Sequence, residues 1–214
     1  MSREIFITEL DELQQEIYAL GRHIESTFKK VVQAMNKGEK AVLQDLIEAD
    51  EEVNEVELKI NEQATLMITK QQPVASDLRH IIVCLKISSD LERMGDLSVD
   101  MAKAYLHMPS NQAYQAYRPE LDAMVSKVEI MVRQVMEAYD SKDMLKAQQL
   151  AAMDDDIDQA YGKLVKDLFR SEYSVDQTAQ LAFIARYMER IGDYCTNISE
   201  WIIYEVNGKR FDLN

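Results

Sequence analysis

The stretch LERMGD, residues 91–96, decides the fold of this chain because a near copy of it, MERIGD, returns at residues 188–193. In each copy an acid, a second acid and a third oxygen-bearing side chain follow one another at intervals of four residues. On a helix, this spacing makes one slanting row that rises roughly 6 Å per step. The two rows are Glu92, Asp96 and Asp100, and Glu189, Asp193 and Asn197.

Each row breaks two local rules of helix stability. Like charges four residues apart destabilise a helix by a few tenths of a kcal/mol unless another group compensates them. The glycine inside each copy, Gly95 or Gly192, costs a helix interior about 1 kcal/mol relative to alanine. Two unfavourable features at the same place, in two copies, are typical of a functional site.

Apolar residues recur at steps of three and four along most of the chain, and only six glycines and three prolines interrupt it. This pattern predicts an all-α protein with six long helices. The predicted helices run from residue 10 to a stop at Gly38, from Glu39 to Gln71, from Pro73 to Met108, from Leu121 to Ala138, from Asp143 to Arg170 and from Ser174 to Asn207.

The repeated motif indicates two tandem three-helix bundles rather than one six-helix array. A shift of 104 residues superposes the first helix on the fourth and Asp50 on Asp154. A shift of 97 residues superposes Glu92 on Glu189. The two shifts differ by one heptad, which keeps both helix faces in phase. We therefore place the first bundle at residues 1–108 and the second at residues 112–214.

The second helix of each predicted bundle contributes further acids. In a three-helix bundle the second and third helices are antiparallel neighbours, so the middle of the second helix faces the motif on the third. Each resulting cluster has four carboxylates and one amide, and a set of oxygen ligands suits Mg²⁺, Mn²⁺, Ca²⁺ or iron. The predicted metal ligands are Asp50, Asn54, Glu92, Asp96 and Asp100 in the first half, and Asp154, Asp158, Glu189, Asp193 and Asn197 in the second.

A row about 12 Å long is more than one ion needs, so more than one ion per half is compatible with the pattern. The alternative is a solvated acidic face held by pairs such as Arg93–Asp96, three residues apart. The repetition of two acids, an oxygen-bearing side chain and a glycine in both halves favours the metal sites.

The composition limits the class of partner. A formal net charge of −14 argues against non-specific binding to nucleic acid, whose phosphates require Lys and Arg. The longest apolar runs are too short to span a bilayer, and the first residues lack an apolar signal segment. We therefore expect a cytoplasmic protein that does not insert into the membrane and that binds cations or a basic partner surface.

Three stretches resemble the PhoU family of phosphate-signalling regulators: QPVASDLR at residues 72–79, LKISSDLERMGD at residues 85–96 and ARYMERIGD at residues 185–193. The resemblance covers essentially the whole chain. It implies two three-helix bundles, metal clusters at an E-x-x-x-D-x-x-x-N row in each half, and no catalytic reaction. Asp100 stands where the family more often has Asn, and Asn54 where Asp is usual, which leaves open whether both sites hold the same metal.

The resemblance also implies a function. Members of the family act with the ATPase of the phosphate-specific ABC transporter and with a sensor histidine kinase, and they switch off the phosphate-starvation response and restrain uptake when phosphate is plentiful. We accordingly expect a negative regulator of phosphate homeostasis, a homodimer, with iron as the metal and Mn, Mg or Zn as alternatives.

Two other classes of protein remain open on the residues alone. One is a carboxylate-bridged di-metal enzyme in a helical bundle, but such sites use Glu-x-x-His pairs, and none of the three His residues has Glu three positions before it. The other is a plain coiled-coil scaffold, which the heptads permit but which does not account for Gly95 and Gly192 in mid-helix.

Overall fold

The computed structural model of the chain describes residues 3–213, which form helices joined by short turns and contain no β-strand. Within these residues, no helix is long and apolar enough to cross a bilayer. The helices are α1 (Arg3–Lys37), α2 (Lys40–Glu48), α3 (Glu51–Gln71), α4 (Ser76–His107), α5 (Gln112–Ala116), α6 (Arg118–Ser141), α7 (Met144–Leu168) and α8 (Val175–Asn207).

The predicted all-α fold is confirmed, and the helix ends follow from local chemistry. Gly38 and Gly208 both have a φ of +71° directly after α1 and α8, in the left-handed region that glycine adopts without steric cost. At the start of α8, the Gln177 N–H donates to the Ser174 hydroxyl, as expected for a helix cap.

The prediction of one continuous second helix is wrong, because the structure divides this segment into α2 and α3 at Ala49 and Asp50. Here the N–H groups of Glu52 and Val53 donate to the carbonyls three residues earlier. This tighter turn interrupts the regular α-helix, and α3 buries Val53, Ile60, Ala64 and Met67 beyond it. The fifth predicted helix, the counterpart of this one, continues unbroken as α7.

Two smaller differences from the predicted helices lie just before and just after α4. Pro73 lies ahead of α4, which begins at Ser76, because Gln72 and Ala75 take positive φ values and turn the chain. After α4, the short helix α5 begins at Gln112, where no helix was predicted.

The two halves pack along α4 and α8, which run antiparallel. His80 near the start of α4 contacts Glu205 near the end of α8, while the Lys86 ammonium lies 5.9 Å from the ring centroid of Trp201. Buried side chains of both halves form one continuous hydrophobic core. The division at residues 108 and 112 falls between α4 and α5 and stays a prediction; residues 1, 2 and 214 lie outside the described part of the chain.

A buried ion pair joins the halves at one end of this contact. His80 Nδ1 lies 2.6 Å from Glu205 Oε1, and the Lys142 ammonium lies 2.8 Å from the same oxygen. Burial alone would lower the pKa of His80, but its hydrogen bonds with Cys84 and Glu205 raise that pKa to about 9. The pKa of Glu205 is lowered, because His80 and Lys142 outweigh its burial.

This pair should make stability depend on pH. A histidine whose pKa is raised by folding contributes stability below its ordinary pKa near 6.5 and loses it as the pH rises through about 9. Urea unfolding should therefore show wild-type stability falling over this range by up to about 3 kcal/mol, and Glu205→Gln should flatten the fall. Glu137→Gln, which removes an exposed contact to Lys146, is the matched control. If stability fell equally with pH in all three proteins, the pH dependence would not come from the His80–Glu205 pair.

Candidate metal centre

The second half brings three predicted ligands together at the contact between α7 and α8. One carboxylate oxygen from each of Asp158, Glu189 and Asp193 lies within 4.8 Å of the others. The acids on α8 share a face because they are four residues apart, and Asp158 faces them from α7. This is the geometry that the repeat predicted for the middle of the bundle.

Two carboxylate oxygens at this cluster are buried without a partner. Asp154 is only 5% exposed; its Oδ2 accepts a hydrogen bond of 2.9 Å from the Thr196 hydroxyl, while its Oδ1 has no partner. Glu189 is 7% exposed; its Oε1 is paired with Arg186, while its Oε2 has none. An unsatisfied buried charged oxygen is costly, so the cluster needs protons or a cation.

The electrostatics of the cluster lead to the same requirement. Burial, opposed by the Thr196 hydrogen bond and reinforced by Asp193, raises the pKa of Asp154 to about 6. Burial and then Asp193 raise the pKa of Glu189 to about 7, and burial and Asp158 raise the pKa of Asp193. A bound divalent cation would favour the ionised carboxylates and reverse these shifts.

Gly192 allows α7 to approach α8 at this place. A Cβ on Gly192 would lie 2.8 Å from Asp154 Oδ1 and 3.4 Å from Ile157 Cδ1. In the first half, a Cβ on Gly95 would meet Val53 Cγ1 at 3.5 Å and Asp50 Oδ1 at 3.9 Å. The residues that each glycine faces are equivalent in the register of the repeat.

The first cluster is more open and is partly neutralised by basic side chains. Asp50 lies at the turn between α2 and α3, and burial followed by Asp96 raises its pKa. On α4, Arg93 contacts Asp96 at 2.8 Å. Lys103 contacts Asp100 at 3.0 Å. Arg93 Nε also lies 3.4 Å from Glu92, whose pKa is raised by burial and by Asp96.

The two predicted amide ligands have different surroundings from the acids. Asn54 is exposed on α3. Asn197 lines a groove of about 510 Å³ together with Asp90, Trp201 and Arg210. Their roles as ligands stay predictions.

The sequence reading missed the surroundings of these acids. It assigned nothing to Arg186 or Lys103, although each lies three residues from a predicted ligand on its own helix and could have been found by that spacing. It also assigned nothing to Thr196, whose partner Asp154 lies 42 positions away on α7 and could not have been found in this way. It also could not show which carboxylate oxygens lack a partner, because this depends on the distance between α7 and α8.

Both clusters consist of oxygen donors, and the donors present fit a hard cation. Asp154, Asp158, Glu189 and Asp193 would hold it in the second half, and Asp50, Glu92, Asp96 and Asp100 in the first. The observation that supports a cation here is the pair of buried oxygens without a partner in the second cluster, one on Asp154 and one on Glu189.

The fold and site define an all-helical protein built from a repeated bundle, with an acidic cluster between two helices of each half. The PhoU domain matches residues 9–105 and again residues 121–202. The chain belongs to the PhoU family, and its tandem arrangement is confirmed by this double match.

Relatives and solved structures agree over nearly the full length. The chain is 33% identical over 219 residues to a phosphate-specific transport system accessory protein PhoU homolog of Clostridium acetobutylicum, and the match covers 100% of each. It is 30% identical to the Escherichia coli accessory protein PhoU, covering 96% of this chain and 87% of that one.

Two crystal structures share the fold. The phosphate transport system regulatory protein PhoU from Streptococcus pneumoniae superposes with a TM-score of 0.90 at 30% identity, covering 97% of this chain and 99% of that one. PhoU from Pseudomonas aeruginosa superposes with a TM-score of 0.85 at 28% identity, covering 95% of this chain and 100% of that one.

The two motif glycines should respond differently to alanine. Helix propensity alone favours alanine by about 1 kcal/mol at each position. At Gly95 the new methyl would meet the flexible end of Ile24 at 3.0 Å, whereas at Gly192 it would meet Asp154 Oδ1 at 2.8 Å.

We therefore expect Gly95→Ala to keep or raise the melting temperature, Gly192→Ala to show no gain, and Gly192→Leu to be clearly destabilised. Thermal melts of the three variants beside the wild type measure this. A Gly192→Leu protein more stable than the wild type would show that the close approach is unimportant.

Proposed function

We propose that this chain is a metal-binding regulator of phosphate transport and phosphate homeostasis, and that it lowers the phosphate-starvation response and phosphate uptake when phosphate is plentiful. The single observation that carries the proposal is the family match over both halves, to relatives named as accessory or regulatory proteins of phosphate transport. The buried acidic clusters supply the metal-binding part of the proposal.

Metal binding is supported by the chemistry of the second cluster. Three carboxylate oxygens converge within 4.8 Å, and Asp154 and Glu189 each keep one buried oxygen without a partner. A cation bound there would neutralise the acids and cross-link α7 to α8. Iron is the proposed ion, with Mn, Mg or Zn as alternatives, since carboxylate sets accept several of these metals.

The proposal assigns the protein no catalytic reaction. Its relatives are named as accessory and regulatory proteins. The second cluster is composed of carboxylates from α7 and α8, without the Glu-x-x-His pairs that helical di-metal oxidases use.

The proposed partners are the ATPase of the phosphate ABC transporter and the sensor histidine kinase that reports phosphate. A cytoplasmic location follows from these partners, and a homodimer is the proposed state of assembly. The formal net charge of −14 suits contact with basic surfaces of such partners and disfavours nucleic acid.

Metal content gives the first test. The double variant Glu189→Gln, Asp193→Asn keeps the side-chain shapes but removes two negative ligands, so it should lose the metal of the second half in elemental analysis. Asp167→Asn, Glu172→Gln removes the same charge from exposed positions and should keep it. Unaltered metal content in the first double variant would refute the second site.

Stability gives a second readout of the same binding. A ligand that binds only the folded state at a hundredfold excess over its Kd stabilises it by about 2.7 kcal/mol. Chelator should therefore lower the melting temperature of the wild type at neutral pH and leave that of Glu189→Gln, Asp193→Asn less affected. Superimposable melts with and without chelator in every protein would contradict metal binding.

Regulation is tested in cells that lack their own copy of the gene. Expression of the wild-type chain should restore repression of a phosphate-starvation reporter in phosphate-rich medium, and Asp167→Asn, Glu172→Gln should restore it as well. Glu189→Gln, Asp193→Asn should leave the reporter active. If the wild-type chain fails to repress while it is present and folded, the regulatory function is wrong.

A further inference from the structure

Thr196 makes a buried contact that distinguishes the two acidic clusters. Its side chain is fully buried, and its hydroxyl donates to Asp154 Oδ2 at 2.9 Å. Because that bond fixes one oxygen of the carboxylate, the unpaired Oδ1 is left against Gly192, between Glu189 and Asp193 along α8. Asp154 is thus held with a free oxygen at the cluster.

The first half has no equivalent of this hydroxyl. The shift of 97 residues that superposes the two motifs places Val99 opposite Thr196. Val99 is 1% exposed and has no polar side-chain atom. Asp50, the counterpart of Asp154, therefore gains no hydroxyl from the matching position on α4.

The basic side chains also differ between the halves. In the first half, Lys103 and Arg93 contact Asp100 and Asp96 directly. In the second half the position of Lys103 is taken by Glu200. The counterpart of Arg93 is Arg190, whose guanidinium donates to the Tyr194 hydroxyl at 3.4 Å and lies 5.9 Å from the centroid of that ring.

One cation does engage the second cluster. Arg186 is paired with Glu189 Oε1 and lies over the ring of Tyr161, 5.7 Å from its centroid. The other oxygen of Glu189 stays buried and unpaired. A metal can therefore approach Glu189 through Oε2 without first displacing Arg186. At the first cluster, Arg93 and Lys103 already offset the charges of Asp96 and Asp100.

We propose that Thr196 is a positioning residue that holds Asp154 ready for metal, and that the second half is for this reason the tighter of two unequal metal sites. The inference rests on the proposed metal binding and deepens it. Groups behind a metal ligand fix its orientation, and their loss lowers metal affinity about 10- to 100-fold. Substitution of Thr196 leaves the Asp154 carboxylate in the chain as a ligand and removes only the hydrogen bond that orients it.

The test uses the full-length chain with the first cluster disabled by Glu92→Gln and Asp96→Asn, titrated with Mn²⁺ in a calorimeter. In this background Thr196→Val should weaken Mn²⁺ binding about 10- to 100-fold. Thr196→Ser should restore the affinity, because it keeps the hydroxyl. Thr178→Val, which changes a buried threonine near the start of the same helix, should bind as its parent does.

A companion protein carries Glu189→Gln and Asp193→Asn, so that only the first cluster is intact. It should bind Mn²⁺ more weakly than the protein in which only the second cluster is intact. Circular dichroism melts of each variant establish that it is folded before titration.

The outcomes separate the inference from the function on which it rests. If Thr196→Val binds Mn²⁺ as its parent does, or if Thr196→Ser binds as weakly as Thr196→Val, Thr196 does not position the ligand and the inference is overturned. If the first cluster binds as tightly as the second, the inequality of the sites is overturned. Absence of Mn²⁺ binding by every protein, including the wild type, would overturn the metal site and the inference together.

Discussion

The antiparallel contact between α4 and α8 is the interaction on which the rest of the structure depends. Each of these helices carries one copy of the repeated motif, and each is the third long helix of its half. Their contact joins the two halves into one core, and the ion pair of His80 with Glu205 closes it at one end. Each motif helix also meets the second helix of its own half, where Asp50 lies near Gly95 and Asp154 lies near Gly192.

Acids in that position can be tolerated only if something compensates their burial. In the first half, Arg93 and Lys103 supply positive charge from the same helix, and the cluster is more exposed. In the second half, α7 comes so close at Gly192 that Asp154 and Glu189 are buried with unpaired oxygens. The negative charge of the motif is thus offset by basic side chains in the first half and left largely unpaired in the second. The more buried second cluster therefore has the stronger requirement for a cation.

This arrangement suits a protein whose proposed role is regulatory. A cation between α7 and α8 would tie two helices of one half together, and its loss would leave like charges side by side. Metal binding would in this way be coupled to the stability of that half. The same core also joins that half to the other through α4 and α8.

The sequence by itself determined the helical class, the repeat and the family, because apolar spacing and the motif are local patterns that survive without knowledge of the packing. The register of the repeat also predicted that the second helix of each half faces the motif on the third, and the structure places Asp50 Oδ1 near Gly95 and Asp154 Oδ1 near Gly192. Only the tertiary structure decided the break at Asp50, since neither glycine nor proline marks it in the sequence and the apolar spacing continues on both sides. It alone also showed the hydrogen bond from Thr196 and the unpaired oxygens, because these depend on distances between helices that are far apart in the chain.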